Sequence, residues 1–165
     1  MKQCIYLIVV ILGIAFISAG CGGGGGGGLV TLPPSTVDLT GLEGIWDYEV
    51  DLDGKITVVG IPSDVEESRN GYFVFTKLSV NDLVGNTITW SYDGHTLWLR
   101  WSEVVDVDTP YGHFNSDRTY TFKMDIEPSD TDAVIGGDVV GYLTIPVYGK
   151  AKETLDVIGT LTKRI

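Results

Sequence analysis

Cysteine stops at residue 21. The chain of 165 residues contains Cys4 and Cys21 and no other, which excludes a disulfide framework or a thiolate metal site from everything downstream. Histidine is as scarce: only His95 and His113 occur, without His-x-x-x-His, Cys-x-x-Cys or His-Glu spacing. No metal and no cofactor is therefore expected, and both histidines read as solvated loop residues. Basic residues number 11 against 22 acidic, a balance that repels nucleic acid and whose simplest use is solubility. Gly-x-Ser-x-Gly and Ser-x-x-Lys nucleophile motifs are absent. The glycine block Gly22 to Gly28 has no Lys-Ser/Thr after it, so it is no phosphate loop. Acidic sets at Asp51-Leu52-Asp53, Asp106-Val107-Asp108 and Ser129-Asp130-Thr131-Asp132 lack the calcium-loop layout and read as turn chemistry. Nothing singles out a carboxylate pair for glycoside chemistry. A non-catalytic protein is expected.

Also missing is an apolar run long enough to span a membrane: Ile5 to Ile17 is interrupted at Gly13 and falls short of the roughly 20 residues required. Lys2 ahead of that run and the small residues after it read instead as a signal peptide. Ser18-Ala19-Gly20-Cys21 resembles the lipobox of bacterial lipoproteins, with Ser18 where the pattern most often has Leu. The resemblance implies cleavage before Cys21, acylation of its thiol and often of the new amino terminus. A thiolate is the side-chain nucleophile suited to forming a stable thioether near neutral pH. Two acyl chains at about 0.8 kcal/mol per buried methylene give durable anchoring. Gly22 stands where an Asp would signal inner-membrane retention, which implies the outer membrane of a two-membrane bacterium. The plainer alternative is a secreted protein cut near Ala19, with Cys21 a stray thiol. Loss of Lys2 with the leader leaves 10 basic against 22 acidic residues, a net charge near −12.

Three segments follow from this reading: a lipoprotein signal peptide over 1–20, a lipid-anchored Gly/Pro-rich tether without packing side chains over 21–39, and a folded domain over 40–165. The 145 residues left after cleavage of the 165 are enough for one core without covalent staples. Beyond Thr40 no helical period is found, while short alternating runs rich in β-branched and aromatic residues recur between turn signals. The first strand alternates Trp46, Tyr48, Val50 and Leu52 with Asp47, Glu49 and Asp51, and Asp53-Gly54 is expected to end it. Further segments are expected at 55–61, 71–80, 86–92, 95–107, 118–127, 134–147 and 153–164, about eight strands in all. Asp93-Gly94 predicts a two-residue hairpin turn that sets Tyr92 opposite His95, Trp90 opposite Leu97 and Ile88 opposite Leu99, with Trp98 pointing out. Trp98, Arg100 and Trp101 offer a stacking platform for a sugar or a protein, or an aromatic simply covered by a loop.

Short turns and one apolar face per strand predict an all-β domain, a single antiparallel up-and-down β-barrel, with a β-sandwich as the alternative. Gly44-Ile45-Trp46 resembles the Gly-x-Trp that opens the lipocalin and wider calycin barrels. The resemblance implies a turn of helix near Leu39 to Glu43, a basic residue from the last strand (Lys163 or Arg164) over Trp46, and a barrel holding a small hydrophobic ligand. An ordinary core Trp is the alternative for Trp46. The ligand would be lined by Trp46, Tyr48, Trp90, Leu97, Leu99, Trp101, Tyr120 and Phe122. The competing expectation is a structural or interaction module of the cell envelope whose barrel those same side chains fill.

Overall fold

Strict alternation of buried and exposed residues runs through long stretches of the chain and builds strands that each wet one face and bury the other. The computed structural model describes residues 31–165; the expected signal peptide, Cys21 and the glycine block lie outside the described residues. The strands are β1 (Gly44–Val58), β2 (Ile61–Phe75), β3 (Val80–Asn81), β4 (Thr87–Tyr92), β5 (Thr96–Thr109), β6 (Gly112–Asp125), β7 (Asp132–Ile145) and β8 (Gly149–Lys163). Each pairs antiparallel with the next, and β1 pairs with β8 from Trp46↔Lys163 to Thr57↔Lys152. The ring is a closed up-and-down barrel, which excludes the sandwich.

The strand layout differs from the sequence expectation in several places: 55–61 is no strand of its own but ends β1, turns and opens β2, β2 begins at Ile61 instead of 71, β6 begins at Gly112 instead of 118, and the two-residue β3 completes the eight. Asp53-Gly54 does not end β1, which runs on to Val58 and turns at Val59-Gly60 into β2. Gly54 serves close approach instead: a Cβ there would lie 2.1 Å from the Thr154 carbonyl oxygen of β8. Asp93-Gly94 is part of a wider connection, in which Asp93 Oδ1 accepts from the backbone N–H of His95 at 2.9 Å and of Thr96 at 2.7 Å. Tyr92 therefore faces Leu97, Trp90 faces Leu99 and Thr89 faces Arg100. The register slips by two from the tight-turn expectation, which preserves every face. Trp98 does point outward, with Lys123 Nζ 5.1 Å from its ring centre.

Residues 35–39, read from the sequence as the end of the tether, already belong to the folded body. The backbone N–H groups of Thr36 and Val37 donate to the Tyr92 carbonyl. Leu39 and Leu42 are fully buried, and burial of each contributes about 1.5–3 kcal/mol. Between them a single turn closes with Leu42 N–H donating to the Leu39 carbonyl. Trp46 Nε1 donates to the Leu42 carbonyl at 2.7 Å, and Lys163 Nζ lies 5.3 Å from the Trp46 ring centre.

Inside the barrel the core falls into a large apolar cluster toward the Leu39 end, which includes Trp46, Phe73, Leu99 and Phe122. A smaller one of Ile56, Val58, Val105, Val107, Leu143, Ile145 and Ala151 occupies the hairpin end. At that end the β1–β2 and β7–β8 turns each hold a valine at positive φ, Val59 at 49° and Val147 at 74°. A β-branched residue there is strained, since Cβ crowds the following carbonyl. Val147 is also fully exposed. It occupies the third position of the turn that Tyr148 N–H closes onto the Ile145 carbonyl at 3.1 Å, a place that favours Gly or Asn. Val147→Asn is therefore expected to stabilise the fold by about 1 kcal/mol, read as a higher urea midpoint at unchanged slope; a lower midpoint would refute the strain.

Candidate functional site

Inward alternation on β6 continues from Tyr120 and Phe122 back to Arg118 and Ser116, and on β8 from Leu155 back to Glu153, so charged side chains enter the barrel. Arg118 faces Gly141 on β7, and Gly141 faces Glu153 on β8. The missing side chain at Gly141 is the opening: a Cβ there would lie 2.4 Å from Glu153 Oε2 and 2.6 Å from Ser116 Oγ. Across that gap Arg118 grips Glu153 in a fork, Nε to Oε2 at 2.7 Å and Nη2 to Oε1 at 2.6 Å. Both residues are essentially inaccessible, at 1% and 0% exposure.

The charges then alternate toward the opposite wall. Arg118 Nη1 donates to Glu67 Oε2 on β2 at 2.7 Å, and Glu67 Oε1 accepts from Arg69 Nε at 2.8 Å. Arg69 Nη1 in turn reaches Glu103 on β5 and the Tyr120 hydroxyl. Among the described residues no buried side-chain nitrogen or oxygen lacks a hydrogen-bond partner, the condition under which such a network can be tolerated. Burial alone would push the Arg118 guanidinium down, but its hydrogen bonding to Glu153, Tyr120 and Glu67 outweighs it and holds the pKa raised. Burial raises the Tyr120 phenol well above its ordinary value despite the neighbouring Arg118 and Arg69.

The relay ends at a break in the wall. β3 pairs with β2 only at Val74 and Phe75, and β4 pairs with β5 only at Leu97 to Arg100. Past those points β2 and β5 share no ladder, and long side chains bridge the seam. A cleft of about 460 Å³ opens there, with Tyr48, Arg69, Tyr72, Trp101 and Glu103 on its walls and Asp82 to Val84 at its rim. Tyr48 lies across Gly71, where a Cβ would meet its hydroxyl at 2.7 Å.

All eight side chains expected to line a ligand belong to the large cluster or pack on it. They occupy the space between one another. Trp101 stacks on Tyr120 with centroids 4.8 Å apart and meets Phe122 edge-on at 4.8 Å, while Tyr48 contacts Phe122 at 6.0 Å. Trp46, Leu97, Leu99, Tyr120 and Phe122 are buried; Tyr48, Trp90 and Trp101 are half-buried. The histidines do not meet across a barrel mouth. His95 precedes β5 and lies 3.5 Å from Glu127, whereas His113 lies at the other end of the barrel beside Asp108. The ionic relay of Arg118, Glu153, Glu67, Arg69 and Glu103 was not singled out from the sequence, although the alternation carried the signal. No family model, no curated protein and no solved structure matches the chain.

Arg118→Met is expected to cost about 3–5 kcal/mol by leaving the buried Glu153 carboxylate without a counter-ion. The pair Arg118→Met with Glu153→Met should recover most of that loss in urea unfolding. An additive double variant would show that the two charges do not act as a unit. Alkaline stability tests the phenol: its folded pKa lies above the unfolded value of 10.0, so its contribution is complete below that pH and is lost as pH rises beyond it. Tyr120→Phe should flatten the decline by up to about 1.4 kcal/mol per pH unit; an unchanged slope would place the titration elsewhere.

Proposed function

We propose that the protein is a lipid-anchored module of the bacterial cell envelope that works by non-catalytic contact with a partner, its barrel serving as a filled scaffold. The observation that carries this reading is the state of the interior. Two apolar clusters and the Arg118–Glu153 relay occupy it, and a fatty chain entering there would have to displace stacked aromatics or strip a buried ion pair of its partners. The lipobox-like Ser18-Ala19-Gly20-Cys21 supports the anchor, and Gly22, where an Asp would signal inner-membrane retention, supports the outer-membrane location. Exposed apolar side chains at the hairpin tips, Val59, Ile61, Val147 and Tyr148 among them, support a contact role.

The competing reading, a lipocalin-like carrier of a small hydrophobic ligand, draws support from Gly44-Ile45-Trp46 and from Lys163 over Trp46. One experiment separates the two. The full chain is expressed in a bacterial host beside Cys21→Ala and fed labelled palmitate, and the purified protein is titrated with a fluorescent fatty acid. The interaction module incorporates the label only with Cys21 present and shows no saturable quenching of its tryptophans. Saturable one-to-one quenching would establish the carrier instead, and label uptake by Cys21→Ala would overturn the anchor.

A further inference from the structure

A closed barrel removes sheet edges, but this one does so along only part of its height. The two-residue β3 and six-residue β4 stand between β2 and β5, whose lengths are 15 and 14 residues. β2 from Ile61 to Phe73 and β5 from Trp101 to Thr109 therefore each present a row of backbone groups that no ladder within the barrel pairs. The two edges run in opposite directions and face one another across the seam. Arg69 and Glu103 bridge it partway up, which leaves a free length toward the hairpin end.

The side chains along that length follow a pattern. Inward are Val65 and Val105, part of or packed on the smaller apolar cluster. Outward are Asp64 and Glu66 on β2 and Val104, Asp106 and Asp108 on β5, all exposed. Lys55 partners Asp64 at 3.8 Å and His113 partners Asp108; Glu66 and Asp106 have no ion-pair partner among the described residues. The free edges are thus apolar within and acidic without. Two copies joined edge to edge would bring Glu66 and Asp106 against like charges, which disfavours self-association.

We propose that the β2–β5 seam takes up an extended segment of a partner protein, added as a strand, whose outward side chains are Lys or Arg and whose inward ones are small and apolar. The unpaired backbone rows supply the affinity, and the acidic flanks select the charge. This rests on the reading of the protein as an interaction module and names the surface and the chemistry of the partner.

The probe is a labelled decapeptide of alternating Lys and Val offered to the full chain, with two companions: alternating Glu and Val, and the Lys-Val peptide N-methylated at every second amide. Fluorescence anisotropy should show the Lys-Val peptide binding and the Glu-Val peptide not. The N-methylated peptide, with its charge intact and its ladder donors removed, should bind at least about tenfold more weakly. Amide exchange should slow within 61–73 and 101–109. Glu66→Lys with Asp106→Lys should weaken binding about tenfold, while Asp132→Lys with Asp156→Lys, on β7 and β8, should leave it unchanged. Equal binding of the N-methylated peptide would reduce the effect to charge attraction and overturn the proposal. So would protection confined to other strands, or no binding in a protein that excludes fatty acid. A protein that took up fatty acid yet bound the Lys-Val strand at the seam would refute the filled scaffold and leave the strand site standing.

Discussion

The Arg118–Glu153 pair is the constraint around which the barrel interior is arranged. Two ions taken from water incur several kcal/mol of desolvation each, so their remaining donors and acceptors need partners. That need draws Glu67 and Ser116 to the pair and, through Glu67, Arg69 and Glu103. It also favours a glycine at position 141, since a side chain between Arg118 and Glu153 would separate them. The result is a polar layer between two apolar clusters, tied to β6, β8, β2 and β5 at once.

That layer bears on the seam. A barrel with two truncated strands has a wall that does not close by backbone pairing. Here, part of the gap is bridged by side chains of alternating sign, anchored at the far end in a fully buried fork. Inward-pointing charge near a free edge is also a device against indiscriminate strand addition. The relay can thus hold the seam together while limiting which strands pair with it. The acidic outer flanks add a second filter through charge alone.

At the hairpin end, two valines sit where glycine or asparagine would be relaxed, and one of them is fully exposed. Strain and exposure at the same residue work against stability twice over, and residues of that kind concentrate where a surface has a task. The other end shows the opposite economy, with Leu39, Leu42 and the Lys163-covered Trp46 packed into a cap. One end is finished by its own chain, and the other presents apolar tips beside the free edges of β2 and β5.

By itself the sequence determined the all-β class, the inward faces of the strands and the absence of cysteine from the domain, because a period of two is local and survives any slip of an even number of residues. The shift at Asp93-Gly94 shows this: Trp90 met Leu99 in place of Leu97, and both stayed inside. Arg118 and Glu153 were legible on the inward face by the same period, two residues before Tyr120 and Leu155, but their partnership was not. It depends on strands that are distant in sequence and on the gap at Gly141. The tertiary structure alone decided that Asp53-Gly54 continues a strand, since a glycine that permits close packing and one that permits a turn look alike in the chain. It alone decided the seam as well: the lengths of β3 and β4 set which edges go unpaired, and pairing is a property of neighbours in space.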